Sequence, residues 1–134
     1  MLRWLVAAAA LLAALAAGTW WALESSGVAL LRTQRPDGSL RTTHVWYADS
    51  EGVTWVEAAN PQRDFVADLR RYPELLLKRD GAEGGYRAEV SRAPEDHARV
   101  RALLREKYGW RDVWVGLVAD TSHSLAVKLH RLGP

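Results

Sequence analysis

The sequence of 134 residues contains no cysteine, and this absence excludes several kinds of chemistry at once. Without cysteine the chain cannot form a disulfide framework, a thiolate metal site or a cysteine nucleophile. The same absence is compatible with a location outside the reducing cytoplasm, because no thiol can mispair there. The charge is also nearly balanced, with a formal net charge of +2. Such a small charge argues against a dedicated nucleic-acid-binding protein.

The sequence also lacks a catalytic motif. Serine, histidine and aspartate are all present, but no nucleophile elbow or comparable spacing links them. The histidines lack the spacing of metal ligands, and each is interpreted as a surface or packing side chain: His44, His97, His123 and His130. The sequence therefore predicts neither a set of catalytic side chains nor a metal site.

The longest apolar stretch lies at the N-terminus. Residues 5–17 include no polar side chain, and residues 4–23 are just enough to cross a bilayer core of about 30 Å. Trp4 stands before this stretch, and Trp20 and Trp21 stand at its end, where aromatic rings settle at headgroup depth. We interpret residues 1–23 as an N-terminal transmembrane anchor, with a cleaved signal peptide as the alternative.

Charges near the anchor predict its orientation. Arg3 and the amino terminus are the positive charges near its start, and Glu24 follows its end. The positive-inside rule then places the N-terminus in the cytoplasm and residues 24–134 outside it, in the periplasm or its equivalent. Ser25-Ser26-Gly27 is predicted to be a short linker that keeps the following domain close to the membrane.

Residues 24–134 are predicted to form one domain built mainly of short strands. Runs rich in β-branched and aromatic residues alternate with turn residues. The predicted strands are residues 28–33, 40–48, 53–58, 74–78, 86–91, 113–119 and 124–129, with a loop at 79–85. Asn60-Pro61 is predicted to open a first helix that Pro73 ends, and a second helix runs from Pro94 to Tyr108. The predicted fold is a mainly antiparallel β-barrel of six to seven strands with two covering helices.

The stretch from residue 41 to 77, read as strand, turn, strand, short helix and strand, resembles a known group of proteins. In that group a strand reads roughly Arg-x-Thr-Pro-Leu-Leu-Tyr; here the chain has Arg41-Thr42-Thr43-His44-Val45-Trp46-Tyr47. The group's helix reads Asp-Trp-x-x-Asn-Leu-x-x-Asn-Pro; here residues 64–73 read DFVADLRRYP. The chain thus resembles the flavin- and deazaflavin-binding split-barrel superfamily (pyridoxamine-phosphate-oxidase-like), in its nitroreductase/quinone-reductase branch. His44 stands where the branch favours Pro, and Asp68 stands where it favours Asn.

The resemblance implies a cofactor site. In the family the first of these strands faces the cofactor's phosphate or ring edge, which implies contacts from Arg41, Thr42 and Thr43. Arg63, at the start of the first predicted helix, is a second candidate anion contact, and Arg35 flanks the first turn. Trp46 and Phe65 complete the predicted cofactor-binding set. FMN is the first choice of cofactor and coenzyme F420 the alternative, because the basic residues expected for a polyacidic tail are partly missing.

The predicted function is a membrane-anchored, FMN- or F420-dependent oxidoreductase that reduces quinone- or nitro-type small-molecule acceptors. The cofactor itself supplies the redox chemistry, so such an enzyme needs no acid, base or nucleophile motif. The alternative is a non-catalytic split-barrel module that binds a lipid, haem or protein partner at the membrane surface. A homodimer is expected, since the resemblance implies a cofactor at a subunit interface.

Overall fold

The computed structural model describes residues 1–24 and 27–133, so the predicted linker residues Ser25 and Ser26 lie outside the described residues. The helices of the described residues are α1 (Leu2–Glu24), α2 (Asp64–Arg71), α3 (Pro94–Tyr108) and α4 (Trp110–Val118). The strands are β1 (Ala29–Gln34), β2 (Leu40–Val45), β3 (Tyr47–Ser50), β4 (Val53–Ala58), β5 (Glu74–Arg79), β6 (Ala82–Ser91) and β7 (Leu125–Arg131).

The seven strands form one antiparallel sheet in the order β2-β1-β5-β6-β7-β4-β3. β2 and β3 lie at opposite edges of this sheet, although Trp46 alone separates them in the sequence. Because Val45 ends one edge strand and Tyr47 begins the other, the sheet must curl until its two edges meet at Trp46. The predicted mainly β split-barrel fold is thereby confirmed.

Apolar side chains pack in two clusters on the two sides of the curled sheet. The cluster that α2 covers includes Leu31, Val56, Phe65, Leu77 and Leu129, all at most 2% exposed. The second cluster lies beneath α3, which packs on β3, β4 and β7. It consists of Ala48, Trp55, Val100, Leu103, Leu104, Tyr108 and Ala126. Burial on both sides explains why so short a chain sustains a stable sheet.

One predicted strand is wrong, because residues 113–119 belong to helix α4 and not to a strand. Three valines in this stretch favoured the strand prediction. The apolar residues Trp110, Val113, Trp114 and Leu117 nevertheless recur at the i, i+3, i+4, i+7 spacing of a helix. Tertiary contacts stabilise the helix, since Trp114 Nε1 donates a hydrogen bond to Thr19 Oγ1 on α1 at 3.1 Å. Within the described residues, three helices therefore follow α1 where two were predicted.

The predicted strand at residues 40–48 is divided at Trp46 into β2 and β3, and two further boundaries differ from the prediction. The predicted loop at residues 79–85 is a tight turn at Asp80-Gly81, and both residues have positive φ (52° and 77°). This is the backbone that a two-residue hairpin requires, so β6 begins directly at Ala82. Asn60 does not cap α2, because its Oδ1 accepts a hydrogen bond from the Gln62 amide at 2.9 Å and forms a separate turn.

The long helix α1 satisfies the length and composition of a membrane span. Leu2–Trp21 is apolar enough to cross a bilayer, and none of this segment is buried against the rest of the protein. A signal sequence near the N-terminus meets the same criteria. The described residues therefore include one N-terminal apolar helix long enough to span a membrane, as the sequence predicts.

Tyr108 packs against the start of the edge strand β3, directly after the point where β2 passes into β3. Its hydroxyl accepts a hydrogen bond from the Tyr47 amide at 3.1 Å and lies 3.0 Å from the Tyr47 carbonyl oxygen, to which it can donate. The Tyr108 ring stacks on Trp46 with 4.3 Å between ring centroids. Burial raises the pKa of Tyr108 to about 12. The phenol thus replaces a neighbouring strand at this seam.

We expect Tyr108→Phe to lower the free energy of unfolding by about 1–2 kcal/mol at pH 8, because the Tyr47 amide loses its partner in a buried place. Urea denaturation measures the effect, and Tyr72→Phe is the control because the Tyr72 side chain is 37% exposed. Equal stabilities of these two variants would contradict the role of the Tyr108 hydroxyl.

The effect of Tyr108→Phe on the free energy of unfolding should depend on pH. The pKa of Tyr108 is about 12 in the folded protein and lies above the unfolded value, so folding favours the protonated phenol. Its contribution is fully present below about pH 10 and is lost as the pH rises towards 12, by at most about 2.7 kcal/mol for two pKa units. Between pH 8 and pH 11 the wild type should therefore lose more stability than Tyr108→Phe loses.

Candidate functional site

Two adjoining cavities lie between β2 and the segment that leads into α2. The cavity here called the apolar cavity has a volume of about 370 Å³. It is lined by Trp20, Val28, His44, Val45, Trp46, Glu57, Ala59, Arg63, Phe65 and Leu104. The second, here called the polar cavity, has a volume of about 580 Å³. It is lined by Arg35, Arg41, Thr42, Thr43, His44, Asn60, Gln62, Arg63, Asp64 and Phe65.

All six predicted cofactor-binding residues line these cavities. Arg41, Thr42 and Thr43 line the polar cavity, Trp46 lines the apolar cavity, and Arg63 and Phe65 line both. The strand and the start of α2 come together because β2 is an edge strand, next to β1, on which α2 packs. The binding role of these residues stays a prediction.

Arg41 is held in place by two carboxylates of α2. Its Nε donates to Asp68 Oδ2 at 2.8 Å, and one of its terminal nitrogens lies 3.4 Å from Asp64 Oδ2. Thr33 Oγ1 on β1 donates to the same Asp68 oxygen at 2.8 Å, and Asp68 is 3% exposed. The hydrogen bond to Asp68 raises the pKa of Arg41 above its ordinary value. Arg41 is therefore both a wall of the polar cavity and a structural contact between β2 and α2.

Arg63 stands where the two cavities meet. It is exposed, and its guanidinium lies 5.5 Å from the centre of the Phe65 ring. It directly precedes α2, whose first amides have no partner within the helix and favour a negative charge nearby. Phe65 itself is 2% exposed and forms the wall between a charged and an apolar space.

Trp46 has two roles, and the sequence alone does not decide between them. Its ring packs on Tyr108 with an interplanar angle of 10°, and it joins the apolar cluster beneath α3. It is also half-buried and lines the apolar cavity. The residue is thus part of the core and of the cavity wall at once.

The sequence did not indicate that Trp20 and Glu57 line the apolar cavity. Glu57 has a side chain that is only 9% exposed, and its carboxylate pairs with Arg101 at 2.7 Å. Ser124 Oγ donates to the other oxygen of Glu57 at 2.6 Å. No sequence signal identifies these contacts, because Arg101 and Ser124 lie 44 and 67 residues from Glu57.

Ser124, His97 and Glu57 lie together but do not form a nucleophilic triad. His97 Nδ1 lies 3.1 Å from both the hydroxyl and the carbonyl oxygen of Ser124. The hydroxyl of Ser124 has one proton, and it donates this proton to Glu57. A triad instead requires the serine to donate to the histidine. The hydrogen bond from Ser124 holds the Glu57 carboxylate in the wall of the apolar cavity. The arrangement does not support acyl transfer.

Neither a scan against protein-family models nor a search of curated proteins finds a match to this sequence. Solved structures do match it. A conserved hypothetical protein from Mycobacterium tuberculosis aligns with a TM-score of 0.67 and 23% identity, over 81% of this chain and 75% of that chain. An F420 reductase aligns with a TM-score of 0.57 and 15% identity, over 83% of this chain and 90% of that chain.

A haem storage protein from Vibrio cholerae also aligns, with a TM-score of 0.63 and 12% identity, over 84% of this chain and 87% of that chain. At these identities the likeness concerns the fold alone. The fold is the split barrel that the sequence predicted, and proteins with this fold bind more than one kind of ligand.

Proposed function

We propose that this split barrel binds a flavin across its two cavities and acts as a membrane-anchored reductase of quinone- or nitro-type acceptors. The observation that carries the proposal is the direct junction of an apolar cavity with a polar cavity that three arginines line, Arg35, Arg41 and Arg63. A flavin nucleotide has the same division, with a flat aromatic ring at one end and a phosphate at the other.

The residues present fit such a ligand. Trp46, Val45 and Phe65 would hold the ring in the apolar cavity, where aromatic side chains contact flat rings favourably. Arg63, Thr42 and Thr43 would hold the phosphate in the polar cavity, since guanidinium and hydroxyl groups donate to phosphate oxygens. The fold shared with an F420 reductase supports the same ligand class.

FMN suits the polar cavity better than the more acidic coenzyme F420. Asp64 lines this cavity, and two carboxylates already neutralise part of the charge of Arg41. Fewer positive charges therefore remain for a polyacidic tail. A single phosphate needs only the charge-assisted contacts that Arg63 and Arg35 can supply.

The protein's own side chains would bind the ligand, orient it and exclude water from it. The flavin, when bound, supplies the redox chemistry. Glu57 is the carboxylate in the apolar cavity, and Arg101 and Ser124 hold its two oxygens by hydrogen bonds at 2.7 and 2.6 Å. These contacts fix the negative charge at the cavity wall, so that the ring meets an ordered surface.

A second candidate is a binding module for haem without catalysis. His44 lines both cavities, and imidazole is a common axial ligand of haem iron. The haem storage protein with the same fold also supports this candidate. We further propose that the domain lies outside the cytoplasm, as the charges near α1 predict, and that it forms a homodimer, as the sequence resemblance implied.

We expect the full-length protein in detergent to bind FMN, and Arg63→Ala to weaken this binding by about 10- to 150-fold. This range corresponds to the loss of a charge-assisted hydrogen bond worth about 1.5–3 kcal/mol. The fold should remain intact, because Arg63 is exposed. Quenching of FMN fluorescence measures the affinity, and Arg70→Ala is the matched control, because Arg70 is an exposed arginine on α2, the helix that Arg63 precedes.

Titrations with haem and coenzyme F420 on the same sample separate the alternatives. A haem Soret band without FMN binding would replace the reductase proposal with the haem module. Equal FMN affinities of Arg63→Ala and Arg70→Ala would remove Arg63 from the phosphate site.

Light scattering with correction for bound detergent tests the homodimer, and a monomeric mass would contradict it.

A further inference from the structure

Helix α4 runs antiparallel beside the last turns of α1. The Trp110 ring stacks on Trp21 with 5.5 Å between centroids, whereas Trp114 Nε1 donates to Thr19 Oγ1 at 3.1 Å. A Cβ placed on Gly18 would lie 3.7 Å from the Trp114 ring. As α4 advances by one turn, its partners on α1 therefore move back towards the N-terminus. The end of α4 thus lies beside the apolar part of α1.

The side of α4 that does not face α3 is apolar and exposed. Trp110 is 55% exposed, Val113 is 44% exposed and Leu117 is 76% exposed. On the opposite side Asp112 is 2% exposed and binds Arg101 at 2.7 Å and Arg105 at 3.0 Å. This buried ionic contact prevents the helix from turning its apolar side inward. We call Trp110, Val113 and Leu117 the α4 stripe.

We propose that the α4 stripe inserts into the headgroup region of the lipid bilayer that α1 crosses. The stripe continues the apolar surface of Leu2–Trp21, which is apolar enough to span a membrane and is not buried against the domain. Bulky apolar side chains on one side of a short helix are typical of helices that lie in a membrane interface. The inference rests on the membrane anchor of the proposed function and extends it to the orientation of the domain.

The tryptophans indicate the depth of insertion. Trp20 and Trp21 on α1 and Trp110 and Trp114 on α4 lie at neighbouring levels, as the contacts between the two helices require. Tryptophan rings settle where hydrocarbon meets headgroups. The Arg111 guanidinium lies 4.6 Å from the centre of the Trp110 ring, where it can meet lipid phosphates. Because Trp20 also lines the apolar cavity, this cavity then lies at headgroup depth.

The absence of cysteine allows a direct test with single labels on the full-length protein. Leu117→Cys and Val113→Cys each carry an NBD fluorophore on the stripe, and both positions are exposed enough to accept it. Leu40→Cys is the matched control, since Leu40 is also an exposed leucine, 50% exposed, at the far end of β2 from Val45. Gly116→Cys labels the flank of α4 between the stripe and Asp112, where an added Cβ meets no atom within 4 Å.

The labelled proteins are reconstituted into phosphatidylcholine–phosphatidylglycerol vesicles with or without doxyl-labelled lipid. We expect doxyl lipid to quench the labels at residues 117 and 113 several times more strongly than the label at residue 40. The quenching of the label at residue 116 should be intermediate. Quenching at 117 and 113 no stronger than at 40 would overturn the proposal. Blue-shifted emission at these positions without doxyl quenching would mean that a second copy covers the stripe, which would also overturn it.

The thermal unfolding of each labelled variant is compared with that of the wild type. If a label on the stripe disrupts folding, the label is placed at another position of the α4 stripe. None of these labels reports flavin binding. An FMN titration on the same vesicles therefore tests the reductase proposal separately, and either proposal can fail without the other.

Discussion

Arg101→Met should lower the free energy of unfolding by about 3 kcal/mol, the lower end of the range for breaking a buried ion pair. Arg101 binds Glu57 Oε1 at 2.7 Å and both oxygens of Asp112 at 2.7 and 2.8 Å. The side chains of Glu57 and Asp112 are only 9% and 2% exposed. The loss stays at the lower end because Arg105 still pairs with Asp112 at 3.0 Å.

Urea denaturation measures this loss, and Arg99→Met is the matched control on the same helix. Arg99 is exposed and contacts Ser50 Oγ, so its substitution should change stability by at most about 0.5 kcal/mol. Adding Glu57→Gln to Arg101→Met should restore part of the lost stability, because the amide carries no charge that needs a partner. A loss below about 1 kcal/mol for Arg101→Met would contradict the proposed role of the ion pair.

The same substitution should also affect the ligand site. Glu57 lines the apolar cavity, and in Arg101→Met it keeps the hydrogen bond from Ser124 but loses the positive charge that faces it. A buried carboxylate without a cationic partner draws water into the cavity. FMN affinity should therefore fall in Arg101→Met and stay unchanged in Arg99→Met.

Elements with local signals were predicted well from the sequence. The predicted strand at residues 53–58 matches β4, and the helix from Pro94 to Tyr108 matches α3. Turn residues, proline at the first helical turn and glycine at the helix end act within a few residues, so the sequence alone contains the information. The connection of β2 to β3 through Trp46 depends instead on closure of the whole sheet, and the local pattern there predicts one continuous strand.

The candidate site was predicted through a resemblance and not through spacing. The residues on β2 and those before α2 lie about twenty positions apart, and only the fold brings them to the same cavities. Contacts between distant segments were missed: the pair of Glu57 with Arg101, and Trp114 with Thr19. The second of these also explains the error in α4, where tertiary packing on α1 overrides β-propensity.

Trp46→Ala should lower the free energy of unfolding by about 3 kcal/mol, the lower end for truncating a large aromatic residue, because Trp46 is only half-buried. The loss arises from the stacked contact with Tyr108 at 4.3 Å and from the cavity left at the barrel seam. Urea denaturation measures it. Since this variant is strongly destabilised, Trp46→Leu, which retains more volume, is used to measure ligand binding.

Trp46→Leu should bind FMN about two- to tenfold more weakly than the wild type, because an aromatic contact with the flavin ring contributes about 0.5–1.5 kcal/mol. Trp55→Leu is the matched control: Trp55 is 8% exposed, belongs to the same cluster beneath α3 and lines neither cavity. Its replacement should lower stability without changing FMN affinity. If Trp46→Leu and Trp55→Leu both retain wild-type affinity, Trp46 serves the core alone and the flavin ring does not contact it.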